Sequence, residues 1–287
     1  MTAKKVISTN RGELNYNKKT LIMGILNLTP DSFSDGGKYN DLDAAIKRAV
    51  EIEKAGADII DIGAESSRPG SERISEEEEK NRLLPILEEI LKVTSIPISI
   101  DTYKSSVAHA ALKKGASIIN DISGLHFDKK MAETAAEFSA PVIIMHIQGR
   151  PENMQDNPKY QNLIFEIKKY IWSGIQLALN AGLEDDKIII DPGIGFGKKQ
   201  FHNLQILNRL DSFQELGYPI LIGTSRKSLI KYVNKDEVDN RLFGTAATAA
   251  VSILKGASIL RVHDVAEIKK TAVMTDAVKW EGKHAEY

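Results

Sequence analysis

The chain has 287 residues, in which 38 lysines and arginines almost balance 39 aspartates and glutamates and leave a formal net charge of -1. Such a balance is not typical of nucleic-acid-binding proteins, which present an excess of cations to phosphate groups. The absence of cysteine excludes disulfides, thiolate nucleophiles and zinc-thiolate centres. Residues 1–19 contain no apolar run of signal-peptide length, and no stretch approaches the roughly 18 apolar residues of a membrane helix. We therefore expect a cytoplasmic, water-soluble enzyme that binds neither nucleic acid nor membrane.

Eight short apolar segments predict strands that are buried on both faces. They are nearly continuous in Ile, Leu and Val, without the polar alternation of a strand that has one wet face. The predicted strands are Leu21–Leu26, Ile59–Ile62, Ile96–Ile100, Ser117–Ile119, Val142–Met145, Ile188–Ile190, Ile220–Ile222 and Ile259–Val262.

A segment of helical period follows each predicted strand. The predicted helices are Leu42–Ala55, Ser75–Val93, Lys104–Lys114, Lys129–Phe138, Asn162–Ala181, Leu204–Leu216, Leu242–Lys255 and Val265–Trp280. Ser75 and Glu78 have the spacing of a capping box at a helix start. Basic residues followed by glycine predict helix ends at Lys54–Gly56, Lys114–Gly115 and Lys255–Gly256.

Eight strand–helix units predict a closed (β/α)8 TIM barrel, since an open doubly wound sheet usually stops near six strands. The segment Val6–Lys19, with a turn at Asn10–Gly12, predicts a short hairpin that caps one end of the barrel. We predict one domain over residues 1–287, with the barrel core at about residues 21–280.

In such a barrel, functional groups lie where strands end, at the carboxyl-terminal face. Nearly every predicted strand is followed by a polar or charged group. These groups are Asn27, Asp61, Glu65, Asp101, Asn120, Asp121, His146, Asp191, Ser225–Lys227, Arg261 and His263. Carboxylates, amides and cations therefore converge on one mouth of the barrel, where we expect the functional site.

Several of these residues belong to longer motifs. The motifs are GILNLTPDSFSDGG at 24–37, DIGAESSRPG at 61–70, SIDT at 99–102, INDI at 119–122, DPGIGFGK at 191–198, SRKS at 225–228 and RVHDV at 261–265. In sequence and order they resemble the signatures of dihydropteroate synthases, and the resemblance runs from about residue 21 to about residue 278. The chain departs at Ala64, where many members have glycine, and at Ser67, where many have threonine. Ser67 keeps the hydroxyl of threonine, and Ala64 adds only a methyl group to glycine. We therefore expect both changes to leave the enzyme active.

The resemblance implies an activity. Such enzymes join 6-hydroxymethyl-7,8-dihydropterin pyrophosphate to 4-aminobenzoate, which gives 7,8-dihydropteroate and pyrophosphate for folate biosynthesis. The exocyclic methylene cation is conjugated with the pterin ring, which favours an SN1-like transferase mechanism. The resemblance also implies Mg²⁺ as cofactor, a homodimer, and sulfonamides as competitive ligands of the benzoate slot.

Roles for individual residues follow from the same resemblance. Pterin contacts are implied for Asp101, Asn120, Met145, Asp191, Phe196 and Lys227. Pyrophosphate contacts are implied for Asn27, acting through Mg²⁺ as the metal ligand, and for Ser67, Arg68, Arg261 and His263. Contacts with 4-aminobenzoate are implied for Phe33, Pro69, Lys227 and Ser228. Catalytic roles are implied for Asp35, Lys227, Arg261 and His263. For Arg68, contact with 4-aminobenzoate or with a closed loop stays open.

The residue types suit this chemistry independently of the resemblance. A carboxylate accepts from the adjacent amino and ring N–H groups of a pterin, and an amide both donates and accepts. A pyrophosphate needs cations and N–H donors, which Arg261 and His263 supply just before a helix start. The loops at 29–37 and 67–70 contain proline and glycine, and we expect them to order over the substrates and exclude water.

Structural interpretations and two other functions stay open at this stage. Asp101 fits a helix cap, while Asp35 and Asp191 fit turn positions. His263 fits a core histidine. A methyltetrahydrofolate methyltransferase domain would share the barrel and the pterin pocket, but it has no need of the SRKS and RVH motifs. A non-catalytic pterin-binding paralogue would have no need of a lid.

Overall fold

The structure is a computed structural model that describes residues 5–28, 38–67 and 70–283, with the side chains of 38–41 and 239 left aside. The expectations for Phe33, Asp35, Arg68 and Pro69, and for the loop at 29–37, lie outside the described residues. The chain begins with an antiparallel hairpin of β1 (Val6–Thr9) and β2 (Gly12–Asn15), as predicted.

Eight parallel strands follow the hairpin and close a barrel. They are β3 (Leu21–Asn27), β4 (Ile59–Gly63), β5 (Ile98–Asp101), β6 (Ile118–Asp121), β7 (Val142–Met145), β8 (Ile188–Asp191), β9 (Ile220–Ile222) and β10 (Ala257–Val262). Each strand pairs with the next in the chain, and β10 pairs with β3 to complete the ring. The predicted (β/α)8 TIM barrel is therefore confirmed.

Helices connect these strands on the outside of the barrel. They are α1 (Lys38–Lys54), α2 (Glu76–Val93), α3 (Ser105–Lys114), α4 (Met131–Glu137), α5 (Leu163–Asn180), α6 (Gln200–Asn208), α7 (Ser228–Asn234), α8 (Leu242–Leu254) and α9 (Val265–Lys279). Within the described ranges, none of them combines the length and the apolarity needed to cross a bilayer.

Two helix predictions were wrong in detail. The segment predicted as one helix over Leu204–Leu216 is α6 followed by a 3-10 helix at Leu210–Leu216, because Arg209 leaves the helical backbone region between them. The sequence also predicted a single helix after β9, whereas the structure has two helices there, α7 followed by α8. Seven residues are too few to display a helical period, and Lys235, at a left-handed φ of 66°, ends α7.

The predicted helix ends are largely confirmed. The Ser75 hydroxyl accepts from the Glu78 backbone N–H at 3.1 Å. The Glu78 carboxylate pairs with Arg82 instead, so only half of the predicted capping box forms. Gly115 follows α3 with a φ of 112° and Gly256 follows α8 with a φ of 105°, conformations that glycine adopts without strain.

The barrel interior has an apolar lower layer. Its buried members are Ile7, Leu14, Leu21, Met23, Ile59, Ile118, Ile143, Ile189, Leu221 and Ile259. Ile7 and Leu14 come from the hairpin, so β1 and β2 close the amino-terminal end of the barrel, as predicted. The alternate strand residues point outward and pack against the helices in a second cluster. Apolar side chains thus fill the amino-terminal part of the barrel. Functional groups are therefore expected at its carboxyl-terminal end.

Candidate active site

The site forms the next layer of the barrel interior. Side chains on a strand alternate between two faces, so the residue two positions after an inward residue also points inward. We counted two positions along each strand from its residue in the lower layer, and on β5 from Ser99. The residues reached in this way are Asp61, Asp101, Asn120, Met145, Asp191 and Arg261. Strands that contribute to the apolar lower layer therefore also contribute to a polar layer directly above it.

Arg261 pairs with two carboxylates of this layer. Its Nε donates to Oδ2 of Asp61 at 2.6 Å, and its Nη2 donates to Oδ2 of Asp101 at 2.8 Å. The Arg261 side chain is 21% exposed, whereas that of Asp61 is completely buried. Asn120 donates from Nδ2 to the same Asp61 oxygen at 3.1 Å. One cation thus ties together residues from β4, β5 and β10.

The carboxylates of this layer are electrostatically perturbed. Burial raises the pKa of Asp101 to about 7, with Arg261 acting in the opposite direction and Asp61 adding to the rise. Burial also raises the pKa of Asp191, opposed by a hydrogen bond from Gly193 N to Asp191 Oδ1 at 2.7 Å and by nearby Lys227. Both groups are therefore poised to respond to a ligand that offers N–H donors.

Lys227 enters the site from the loop after β9. Its Nζ lies 4.3 Å from the centre of the Phe196 ring and donates to the carbonyl of Ile194. Burial lowers the pKa of Lys227 to about 8, with Asp191 acting in the opposite direction. A Cβ at Gly195 would come within 3.2 Å of Lys227 Cδ, so glycine there permits the loop after β8 to pack against the lysine.

The end of β10 and the start of β3 form the other side of the mouth. His263 lies with Nδ1 3.0 Å from the Ser225 hydroxyl. Asn27, the last residue of β3, is half-buried, and its amide makes no hydrogen bond to another described residue.

Asn27 fits a magnesium ion only in part. No cluster of three His, Asp or Glu side chains that could hold a metal occurs within residues 5–28, 38–67 and 70–283. One amide oxygen cannot hold Mg²⁺ alone, but Mg²⁺ commonly retains waters and binds substrate phosphates through few protein ligands. The donor set therefore suits an ion that arrives together with a phosphorylated ligand.

The remaining predicted residues lie around this mouth. Ser228 is the first residue of α7, and its hydroxyl accepts from Gln200 Nε2 at 3.1 Å. Ser67 is half-buried in the loop after β4. Met145 is buried and packs in a cluster against which Phe196 also lies.

Comparison with known proteins identifies the family. The family model described as "pterin binding enzyme" matches residues 23–263, which include all eight barrel strands except the first two residues of β3. The dihydropteroate synthase of Bacillus subtilis is 49% identical over 274 residues, which cover 96% of this chain and 94% of that protein. The chain belongs to the dihydropteroate synthase family.

Solved dihydropteroate synthases share the fold. The Clostridium difficile enzyme, crystallised in the presence of pteroic acid, has a TM-score of 0.88 and 47% identity over 92% of this chain and 98% of that chain. The Yersinia pestis enzyme, in a sulfonamide drug complex, has a TM-score of 0.90 and 38% identity over 96% of this chain and 99% of that chain. These dihydropteroate synthase relatives disfavour the methyltransferase interpretation.

A buried ionic cluster lies beside the mouth of the barrel, and no role was assigned to it from the sequence. Lys104 is 6% exposed and forms ion pairs with Glu65 and, at 2.6 Å, with Glu79. Its Nζ also donates to the carbonyl of Ile74 at 2.7 Å, and Tyr103 donates its hydroxyl hydrogen to Glu65 at 2.5 Å. The cluster therefore anchors both ends of the segment that carries Ser67.

We expect Lys104→Ala to lower the free energy of unfolding by about 3–5 kcal/mol, because two buried carboxylates would lose their shared cation. Urea unfolding followed by circular dichroism measures this loss. The matched control is Lys92→Ala, which removes a lysine paired with Glu89 on the exposed surface of α2 and should change stability by about 0.5 kcal/mol or less. Equal losses in the two variants would contradict the assigned role of the cluster.

Proposed function

We propose that this protein is a transferase that joins 6-hydroxymethyl-7,8-dihydropterin pyrophosphate to 4-aminobenzoate and releases 7,8-dihydropteroate and pyrophosphate. The observation that carries the proposal is the polar layer in which Arg261 bonds to Asp61 and Asp101, and Asn120 bonds to the same Asp61 oxygen. Asp191 and Lys227 lie close enough to influence one another's charge. Such a layer offers acceptors and donors to a flat heterocycle and a cation to its anionic tail.

The heterocycle is proposed to lie between acceptors on one side and Lys227 on the other. Asp101 and Asp191 accept hydrogen bonds from the amino and ring N–H groups of the pterin. Lys227 donates to the pterin carbonyl and ring nitrogen, in place of its bond to the Ile194 carbonyl. Met145 and Phe196 pack against the faces of the ring.

The leaving pyrophosphate is proposed to lie towards Arg261 and His263. Arg261 donates from Nε and Nη2 to the two carboxylates. Its Nη1 makes no hydrogen bond to a described residue and can therefore donate to an anion. Asn27 would hold Mg²⁺ together with phosphate oxygens, and the ion would neutralise negative charge there. The family resemblance assigns Ser67 and Arg68, which follow β4 in the sequence, to binding of the same anion.

The proposed reaction breaks the bond between the methylene carbon and the pyrophosphate oxygen before the new bond forms. The electron pair leaves with pyrophosphate, which Arg261 and His263 stabilise. The neutral amine of 4-aminobenzoate then attacks the carbon and loses one proton to solvent. The family resemblance assigns Phe33, Pro69, Ser228 and the Lys227 stem to binding of 4-aminobenzoate, and it assigns Asp35 to stabilising the methylene cation.

A coupling assay tests the proposal. Protein, the pterin pyrophosphate, 4-aminobenzoate and Mg²⁺ should yield dihydropteroate and an equal amount of pyrophosphate. A sulfonamide should inhibit competitively with 4-aminobenzoate, because it mimics the ring and its charged group. Folded protein that binds pterin but forms no product would overturn the proposal and favour the non-catalytic paralogue.

The pKa values predict a narrow pH window for pterin binding. Burial raises the pKa of Asp101 to about 7, so affinity should fall as pH decreases through 7 and the acceptor carboxylate becomes protonated. Burial lowers the pKa of Lys227 to about 8, so affinity should also fall as pH rises through 8 and the ammonium donor is lost. Calorimetric titration with 6-hydroxymethylpterin from about pH 6 to about pH 9 measures the profile, and a flat profile would contradict both roles.

We also propose that the protein acts in the cytoplasm as a homodimer, with the second copy on the α8 and α9 surface. These two packed helices expose the apolar residues Val251, Leu254, Met274 and Val278. Met274→Glu should therefore shift sedimentation towards the monomer, since a charge would be buried at the contact. Val93→Glu, at an exposed site on α2, is the control. Equal sedimentation of the wild type and Met274→Glu would contradict this surface.

A further inference from the structure

Asp61 is the most completely buried carboxylate of the polar layer, and no substrate contact has been assigned to it. Its side chain has no solvent exposure. Its Oδ2 accepts from Arg261 Nε at 2.6 Å and from Asn120 Nδ2 at 3.1 Å. Asp61 therefore contacts one residue proposed to bind the heterocycle and one proposed to bind the anion.

The contact with Asp61 fixes the orientation of the Asn120 amide. An amide has one donor end and one acceptor end, and only the nitrogen end can bond to a carboxylate. Because Nδ2 of Asn120 bonds to Asp61, its Oδ1 lies on the other side of the amide group. An Asn120 side chain without this partner could present either end to a ligand.

A second observation concerns the other Asp61 oxygen. Oδ1 of Asp61 and the hydroxyl of Ser99 are buried without a hydrogen-bond partner among the described residues. Asp61 and Ser99 are paired positions on β4 and β5, so their side chains point to the same side of the barrel wall. Buried polar atoms are rarely left unpaired, so this part of the layer has acceptor capacity for a further donor.

We propose that Asp61 is a positioning residue that sets the hydrogen-bonding polarity of the pocket, by turning the Asn120 carbonyl towards the N–H groups of the heterocycle. This inference rests on the proposed function, because it gives Asn120 one of the ligand's N–H groups to accept, in addition to those that Asp101 and Asp191 accept. Asp61 at the same time holds Arg261 next to Asp101. An apolar side chain at position 61 could keep neither arrangement, whereas the single oxygen of an amide could accept both hydrogen bonds.

Asp61→Leu tests the proposal. Leucine has a similar branched shape but accepts no hydrogen bond, so the Asn120 amide loses the partner that fixes its orientation. The Asn120 nitrogen can then face the N–H groups of the ligand, donor against donor. We expect affinity for 6-hydroxymethylpterin, measured by calorimetry, to fall by about 10- to 100-fold.

The conservative variant Asp61→Asn separates this role from a general effect of the substitution. Arg261 Nε and Asn120 Nδ2 both donate to Oδ2 of Asp61, so the single oxygen of an amide in that position can accept both hydrogen bonds. We expect folded Asp61→Asn to bind 6-hydroxymethylpterin to within about fivefold of the wild-type affinity, whereas Asn120→Asp should bind weakly because two carboxylates would face each other. The control is Asp58→Asn, which removes a carboxylate paired with Lys19 just before β4 begins and should leave pterin affinity unchanged.

The outcomes are distinct. Wild-type protein that binds no pterin would overturn the proposed function itself. Wild-type binding together with unchanged affinity in folded Asp61→Leu, or in folded Asn120→Asp, would overturn the role of Asp61. Folded Asp61→Asn that binds no better than Asp61→Leu would overturn the polarity argument, whereas affinity close to that of the wild type supports it.

Discussion

Arg261→Met is expected to abolish dihydropteroate formation and to lower the free energy of unfolding by about 3–5 kcal/mol. Methionine retains most of the side-chain volume but leaves Asp61 and Asp101 buried without their cation. It also removes the group proposed to stabilise departing pyrophosphate. The coupling assay measures the first effect and urea unfolding the second.

The control for this variant is Arg82→Met. Arg82 forms an exposed ion pair with Glu78 on α2, so its loss should leave turnover unchanged and alter stability by about 0.5 kcal/mol or less. If Arg261→Met kept wild-type turnover, the assignment of the anion to Arg261 would be wrong. If Arg261→Met were as stable as Arg82→Met, the stability of the buried Asp61 and Asp101 carboxylates would not depend on the Arg261 cation.

Lys227→Met should weaken binding of 6-hydroxymethylpterin by about 10- to 100-fold, because a charged donor to the heterocycle is lost. Its effect on stability should have the opposite sign. Burial lowers the pKa of Lys227 to about 8, which means that the folded state disfavours the charged form. We therefore expect the variant to be at least as stable as the wild type at pH 7.

This opposition between affinity and stability distinguishes a ligand-binding lysine from one that holds the fold. Lys231→Met is the matched control, since Lys231 lies on α7 and pairs with Glu237 at the surface. It should change neither pterin affinity nor stability appreciably. Lys227→Met with unchanged affinity, measured by calorimetry alongside this control, would refute the pterin role of Lys227.

Much of the site's composition could be predicted from sequence because strand periodicity is local. Ile59 and Asp61 share a face of β4, as do Ile189 and Asp191 on β8, whatever the rest of the chain does. Apolar strand cores followed by polar ends therefore predicted both the barrel and the mouth. The hairpin was also predictable, since its turn and its two strands lie within a few residues of one another.

The partners within the site could not be predicted in this way. Arg261 was expected to bind only an anion, yet it pairs with Asp61, 200 residues away in sequence. Glu79 on α2 and Lys104 lie 25 positions apart in the sequence, and nothing in their local sequences specifies a buried pair. The short helix α7 was missed for a related reason, because fewer than two turns leave no periodic signal.

Local spacing determines which face of a strand a side chain occupies, and that property is written along the chain in the eight apolar segments and the motifs at their ends. Contacts across the mouth depend on the closure of β10 against β3, which brings Arg261 within reach of the residues on β4 and β5. Closure is a property of the whole ring, since it needs every strand in register. For this reason the sequence determined the barrel, the family resemblance and the candidate residues, whereas only the tertiary structure decided that Asp61 joins Asn120 to Arg261.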